Sequence, residues 1–208
     1  GSILNPKPIN GRFPATGAGN VETSQGIVNL LLHLFEVAAA SQSTMNNLLF
    51  GTSDKDRSFG YYETMGGGSG ASKTADGDGP SQVHMTNTQL TDPEILESRY
   101  PVRLINVAIR QGSGGLGRFN GGPGMVREYE FLANLQVSLI TSGRNNGAKG
   151  LHGGGNGRPG QNHIFRHKNK KWEKLPAICS FIVAPGDILK IETPGGGGCF
   201  TKNSKRLS

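Results

Sequence analysis

Between Asp76 and Thr88 the chain reads DGDGPSQVHMTNT, which sets two carboxylates, an imidazole, three hydroxyls and an asparagine within thirteen residues. Such an inventory suits cation binding, nucleophilic catalysis, or proton transfer to a held substrate. A calcium loop fails on spacing: Asp76 and Asp78 start like one, but Pro80, Ser81 and Asn87 occupy its fifth, sixth and twelfth positions. A zinc site fails because His33, His152, His163 and His167 lack ligand spacing to His84. No G-x-S-x-G elbow marks a catalytic serine, and sequence order alone neither supports nor excludes a triad. Two readings remain open. In one, His84 exchanges protons while Thr86, Asn87 and Thr88 hold an amide or carboxylate. In the other, these side chains bond their own backbone in Asx and ST turns.

The stretch is preceded by GGGSG, Gly66 to Gly70, so two backbone-exposing segments abut, as they would around a ligand or a partner's backbone. Glycine is the compositional outlier, 33 of 208 residues, against an average usage of about 7%. There is no strict G-X-Y period, which argues against collagen. GSGGLG (Gly112 to Gly117) and GNGRPG (Gly155 to Gly160) satisfy G-x-G-x-x-G, but neither opens a helix as a dinucleotide loop must. They read as turns that use positive φ. PGGGG, Pro194 to Gly198, reads as packing space or as an anion nest.

The elements that must position these loops fall into two halves. After a Pro-rich lead-in (NPKPINGRFP), ETSQGIVNLLLHLFEVAAA places Ile27, Leu30, Leu31, Leu34 and Val37 on one helical face. Thr23 and Ser24 are cap candidates, and Glu22 suits the positive end of the dipole. A short helix is expected over Pro93 to Arg99, with Asp92 as N-cap and Pro101 as terminator. From Val102 the period changes to two, and VRLINVAIR, VREYEFL, LQVSLITS, ICSFIVAP and DILKIET read as strands. The expectation is an α+β chain: residues 1–100 a helical and Gly-rich loop segment, part of a larger domain in the full-length protein, and residues 101–208 a mainly antiparallel β domain.

Charge follows the same division. Residues 1–100 hold 6 Lys/Arg against 10 Asp/Glu, and residues 101–208 hold 16 against 5. The basic half suits a phosphorylated substrate or an acidic partner surface. Nucleic acid is not expected, because the run RHKNKKWEK, Arg166 to Lys174, carries one aromatic and reads as a solvated hairpin turn. Cys179 and Cys199 read as free thiols of a reducing compartment. No apolar run approaches membrane-spanning length and no signal peptide opens the chain, so a cytoplasmic location without membrane contact is expected. Gly1-Ser2 reads as a cleavage remnant, which leaves Ile3 free not to be the natural start.

Several longer segments, in order, carry a resemblance: AGNVETSQ (Ala18 to Gln25), AAASQSTMNN (Ala38 to Asn47), GYYETMGGGSGA (Gly60 to Ala71), HMTNT with TDPEILESRYPV (His84 to Val102), GSGGLGRFNGGPG (Gly112 to Gly124), GLHGG (Gly150 to Gly154), and PGD with TPGGGG (Pro185 to Gly198). Together they resemble the carboxyl-terminal part of the hydantoinase B/oxoprolinase family, and are most like its ATP-dependent 5-oxoprolinase branch. The resemblance implies ring opening of a small cyclic amide, 5-oxoproline to glutamate, after phosphorylation of the carbonyl oxygen. Relatives acting on N-methylhydantoin or ketones imply the alternative substrates. It implies an A-type half or subunit that handles ATP, oligomers of the full enzyme, and a B-type half that completes the reaction. No cofactor is expected in this segment itself. ATP and a divalent metal are implied for the full enzyme, with the metal ligands in a stretch upstream of Ile3. The ending CFTKNSKRLS departs from the aromatic-glycine-acid-proline ending usual after the glycine run.

On that resemblance the loops Glu63 to Gly70 and Asp76 to Asn87 form one wall of the site for the activated intermediate. His84 would transfer the proton, Thr86 and Asn87 would orient the substrate, and Glu63, Gly66, Gly67, Gly68 and Asp76 would complete the substrate contacts. Asn20, Glu22 and Asn46 are further candidates. A second reading makes the segment an assembly module that docks the A-type partner. Burial or exposure of the apolar face of residues 27–37 separates the two.

Overall fold

The computed structural model describes residues 19–55 and 57–202. The Pro-rich lead-in, the Gly1-Ser2 reading, the side chain of Asn20 and the end of the chain past Lys202 lie outside the described residues. The architecture is α+β, mostly antiparallel sheet with two helices.

Helix α1, Gly19–Leu34, stops six residues short of the expected Ala40. Its end is a Schellman arrangement: Glu36 takes a left-handed φ of 55°, its N–H reaches His33 O at 3.1 Å, and Val37 N–H reaches Leu32 O at 2.8 Å. The apolar period runs on past this point, but the backbone has already turned. Helix α2, Pro93–Arg99, begins and ends as its sequence predicts. Asp92 accepts from the N–H groups of Glu94 and Ile95, and Tyr100 N–H closes on Leu96 O.

Strands β1 (Asn47–Thr52), β2 (Phe59–Glu63), β5 (Leu135–Ile140) and β8 (Ile178–Val183) form one sheet in the order β2-β1-β5-β8. Strands β3 (Val102–Arg110), β4 (Gly124–Phe131), β6 (Gln161–Arg166), β7 (Lys171–Lys174) and β9 (Ile188–Glu192) form the other, in the order β3-β4-β9-β6-β7. Their buried faces meet in one core, where Leu48, Phe50, Tyr61 and Leu96 pack with Tyr129, Phe131, Val137, Leu139, Ile164, Leu189 and Ile191. The first half, read as helix and loop, therefore contributes two strands, and β1 pairs directly with β5 from Asn47↔Ile140 to Gly51↔Gln136. Sheet and core both run across residue 100. The basic run is turned at His167 to Lys170, and Lys171–Lys174 is itself a strand with all four residues exposed. Arg166 is engaged internally, on Asp187 at 2.9 Å.

The remaining glycine-rich segments form neither helix nor sheet, yet they are laced together by backbone hydrogen bonds. The run Thr193 to Gly198 lies at their centre. Gly68 N–H donates to Pro194 O, Ala71 N–H to Gly197 O, Gly115 N–H to Gly196 O and Leu151 N–H to Gly198 O, all at 2.8–2.9 Å. Going along the run, a side chain at Gly195 would strike Ser113, at Gly196 Ser69, at Gly197 Lys149, and at Gly198 the Gly115–Leu116 backbone again. Contacts returning every third residue are those of a polyproline II-type helix ringed by three neighbours. This corrects the reading of the glycine motifs as positive-φ turns. Of the glycines in GSGGLG and GNGRPG only Gly112 has a left-handed φ, and the others are glycine because another backbone lies where a Cβ would be. PGGGG is packing space of the same kind.

Candidate functional site

Helix α1 turns its polar side inward. Glu22, Gln25 and Asn29 recur at i, i+3 and i+7 and so share one face. Glu22 Oε1 accepts from Thr44 Oγ1 at 3.0 Å and Met45 N–H at 2.8 Å, and its Oε2 from Ser142 Oγ at 3.1 Å. Two turns further on, Asn29 exchanges two bonds with the backbone of Ser41: Nδ2 donates to Ser41 O at 2.9 Å and Oδ1 accepts from Ser41 N–H at 3.0 Å. Gln25 lies between them, fully buried, with neither amide atom hydrogen-bonded. The apolar face points the other way: Leu30 is 46% exposed, Leu34 65% and Phe35 74%.

The extended segment Ser41 to Asn46 is as polar as the helix face against it. Gln42 donates its backbone N–H to Gly68 O at 2.9 Å and accepts from Asn46 Nδ2 at 2.7 Å, while its own Nε2 has no partner. Asn46, at a left-handed φ of 47°, receives Arg144 Nη1 on Oδ1 at 2.9 Å. Arg144 also forks onto Asn162 Oδ1 through Nε and Nη2. Burial, seconded by Arg110 and opposed by Glu22, pushes the Arg144 guanidinium down to about 10, which leaves it cationic at neutral pH.

His84 joins this wall. It sits at a left-handed φ of 54°, and its Nε2 lies 2.8 Å from Asn29 Oδ1. Burial pushes the imidazole below its ordinary value, so it is neutral near pH 7 and can accept a proton. Ser41 Oγ accepts from Gly70 N–H at 2.9 Å, which ties Asn29 and His84 to the Gly66–Gly70 loop. Gly66, Gly67 and Gly68 are buried against Ser81, Gln42, Gly122 and Gly196, so the backbone they abut is the chain's own.

The other expected site residues lie apart. Asp76 Oδ1 accepts from Asn120 N–H at 2.7 Å, fastening two loops. Thr86 bonds back to Val83 O at 3.3 Å through both N–H and Oγ1. Asn87 is exposed, and Thr88 Oγ1 pairs with Thr64 Oγ1 at 2.6 Å. Glu63 is enclosed in the core: its Oε2 receives Arg127 Nη1 at 2.6 Å and Tyr129 OH at 2.8 Å, its Oε1 Thr91 N–H at 2.8 Å. The structure thus gathers His84, Glu22, Asn46 and the three glycines around α1 and leaves Glu63 and Asp76 elsewhere. Gln25, Asn29, Gln42 and Arg144 were not foreseen. The signal for the first two was the polar stripe within α1, overlooked beside its stronger apolar one.

Among the described residues no three His, Cys, Asp or Glu side chains converge to hold a metal ion, and no helix is long and apolar enough to cross a membrane. Cys179 and Cys199 are free thiols.

Comparison with known proteins gives this arrangement a context. A family model described as Hydantoinase B/oxoprolinase matches residues 1–201. The chain is 46% identical over 198 residues to 5-oxoprolinase 1 of Arabidopsis thaliana, which covers 95% of this chain but only 15% of that protein. In fold it is similar to the nucleotide-free structure of acetone carboxylase, with a TM-score of 0.65 at 17% identity over 78% of this chain and 26% of that one. It is also similar to an ATP-dependent caprolactamase from Pseudomonas jessenii, with a TM-score of 0.59 at 23% identity over 79% of this chain and 30% of that one.

Proposed function

The chain belongs to the hydantoinase B/oxoprolinase family, and we propose from that premise that it forms the carboxyl-terminal part of the B-type half of an ATP-dependent enzyme opening a cyclic amide, 5-oxoproline to glutamate. The observation that carries this reading is the 46% identity to a 5-oxoprolinase across 95% of the chain. An unstrained amide resists water, and phosphorylation of its carbonyl oxygen by the A-type half makes the ring carbon electrophilic. Water then adds to that carbon and gives a proton to the neutral His84. The C–N bond breaks, the nitrogen takes up a proton, and a second water cleaves the resulting acyl phosphate to glutamate and phosphate. The exposed Asn87 orients the intermediate beside His84, Thr86 shapes the turn that carries His84 by bonding Val83 O, and the Gly66–Gly68 loop backs the wall. Asp76 and Glu63 serve that wall from behind, by fastening its loops. In this reading ATP is handled by the A-type half, and among the described residues no three His, Cys, Asp or Glu side chains converge on a divalent metal.

The test is ATP-coupled glutamate release by the full-length B-type protein with its A-type partner. His84→Ala is expected to lower the rate by about 100-fold or more, and a rate within twofold of the unchanged enzyme would remove His84 from the role. A second reading, docking of the A-type half, is favoured by one observation: the exposed Leu30, Leu31 and Leu34 of α1, with Phe35 just past its end, form an apolar stripe that the described residues leave uncovered. If docking were the whole function, His84→Ala would be silent and charged substitutions on the stripe would abolish co-purification of the two halves.

A further inference from the structure

His84 and Asn29 meet through one hydrogen bond whose direction is fixed by the groups behind it. A carboxamide can present either its oxygen or its nitrogen to a neighbour, and the choice follows from its other partners. Asn29 is 9% exposed and held at two points by the Ser41 backbone: the N–H of Ser41 donates to Oδ1 at 3.0 Å, and Nδ2 donates to Ser41 O at 2.9 Å. Rotating the carboxamide would set donor against donor and acceptor against acceptor. The atom 2.8 Å from His84 Nε2 is therefore an oxygen, and the imidazole must donate to it.

We infer that Asn29 is a positioning residue that holds His84 in the tautomer with its proton on Nε2, leaving the lone pair on Nδ1 as the atom that accepts a proton. In a neutral imidazole the bond made by one ring nitrogen decides the protonation of the other. The turn that carries His84 reinforces the geometry. Its left-handed backbone is closed by Thr86 N–H on Val83 O, which sets the direction from which the ring, exposed on its other side, reaches Asn29. Burial is what disfavours the charged ring, and no carboxylate or cation among the described residues adds to that. Asn29 thus has the part that a carboxylate takes beside a catalytic histidine, without the charge. An acid there would favour imidazolium, whereas a carboxamide fixes the tautomer and keeps the base neutral. The catalytic use of this bond rests on the reading of His84 given above, whereas the tautomer itself does not.

The experiment is nitrogen NMR of the full-length protein labelled at histidine, with His84 assigned by its loss in His84→Gln. The expected spectrum above the titration midpoint shows a protonated Nε2 and an unprotonated Nδ1. A proton on Nδ1, or an averaged pair of tautomers, would overturn the inference whatever the reaction proves to be. Asn29→Asp keeps an acceptor for Nε2–H but adds a negative charge, so the titration of His84 should move to higher pH. The acidic limb of the rate–pH profile should move with it. Asn29→Leu should lower kcat with no such displacement. If both titration and limb stay in place in Asn29→Asp, Asn29 is only structural. If glutamate release is unaffected by His84→Gln, the reading of the site fails, and with it the catalytic use of the bond.

Discussion

At the scale of single residues, the most exacting feature is Glu63. A fully desolvated carboxylate is stable only when every lone pair is met, and here Arg127, Tyr129 and Thr91 meet them. The two phenols nearby keep their protons and donate them. Burial pushes Tyr61, which bonds Thr91 Oγ1, up to about 12 and pushes Tyr129 well above the ordinary phenol value. Replacing one member strands the other, so Arg127→Leu should destabilise the fold by about 3–5 kcal/mol in chemical denaturation. Pairing it with Glu63→Leu should recover part of that loss. A loss below about 1 kcal/mol for Arg127→Leu would show that the pair is not desolvated. Histidines set the acid response. Burial lowers His84 and His163 in the folded state, so their contribution is intact above the unfolded value of about 6.5 and is lost as pH falls through the lowered folded value. The melting temperature should drop as pH falls below about 6.5, and His84→Gln should flatten the drop; an unchanged slope would contradict the partial desolvation of the ring. His84 and Glu22 could be picked out of the sequence by residue chemistry and helix position. Gln42 and Arg144 could not, because the partners that fix them, Gly68 for Gln42 and Asn46 and Asn162 for Arg144, are distant in the chain.

At the scale of elements, local signals were legible where one face is buried and the backbone is conventional. β3, β5, β8 and β9 lie within two residues of their alternating stretches, and α2 was delimited by Asp92 and Pro101. β1 and β2 were missed because glycine and hydroxyl residues interrupt NLLFGT and FGYYE, and β7 because all four of its residues face solvent. For α1 the period was right and the direction of its apolar face was left open: that face turns outward, and among the described residues backbone groups and hydroxyls take the polar face. The glycine assembly was invisible to any rule based on period two or 3.6. Its test is substitution by alanine. A Cβ on Gly68 would enter the backbone of Gly122 and Gly196, so Gly68→Ala should cost about 3 kcal/mol or more. Gly26 in α1 has nothing within 4 Å of such a Cβ, and Gly26→Ala should stabilise by about 0.5–1 kcal/mol. Equal effects at the two positions would mean that the segments do not approach as closely as described.

At the scale of the molecule, two surfaces are dressed for contact. One is the apolar stripe of α1. The other is the outer face of the β2-β1-β5-β8 sheet, where Tyr62, Leu49, Ile140, Ile178 and Ile182 stand among Gly51, Gly60, Ser138 and Ser180 with no charged side chain. Its polar groups bond each other, Tyr62 to Asn47 and Ser138 to Ser180, both within 2.9 Å. The chain spans 15% of the length of the 5-oxoprolinase it matches, so most of such a protein lies outside it. Inside, the core is continuous across residue 100. Separating residues 101–208 would take from β5 its partner β1 and from the core Leu48, Phe50, Tyr61, Met65 and Leu96. Each of these side chains contributes about 1.5–3 kcal/mol of burial, so the five together are comparable to the roughly 5–15 kcal/mol by which a typical domain is stable. The 208-residue chain should therefore melt in one cooperative transition, and residues 101–208 alone should show none by calorimetry. A sharp transition from the shorter piece would establish that the second half is a domain in its own right and that β1 and β2 are attached to it rather than built into it.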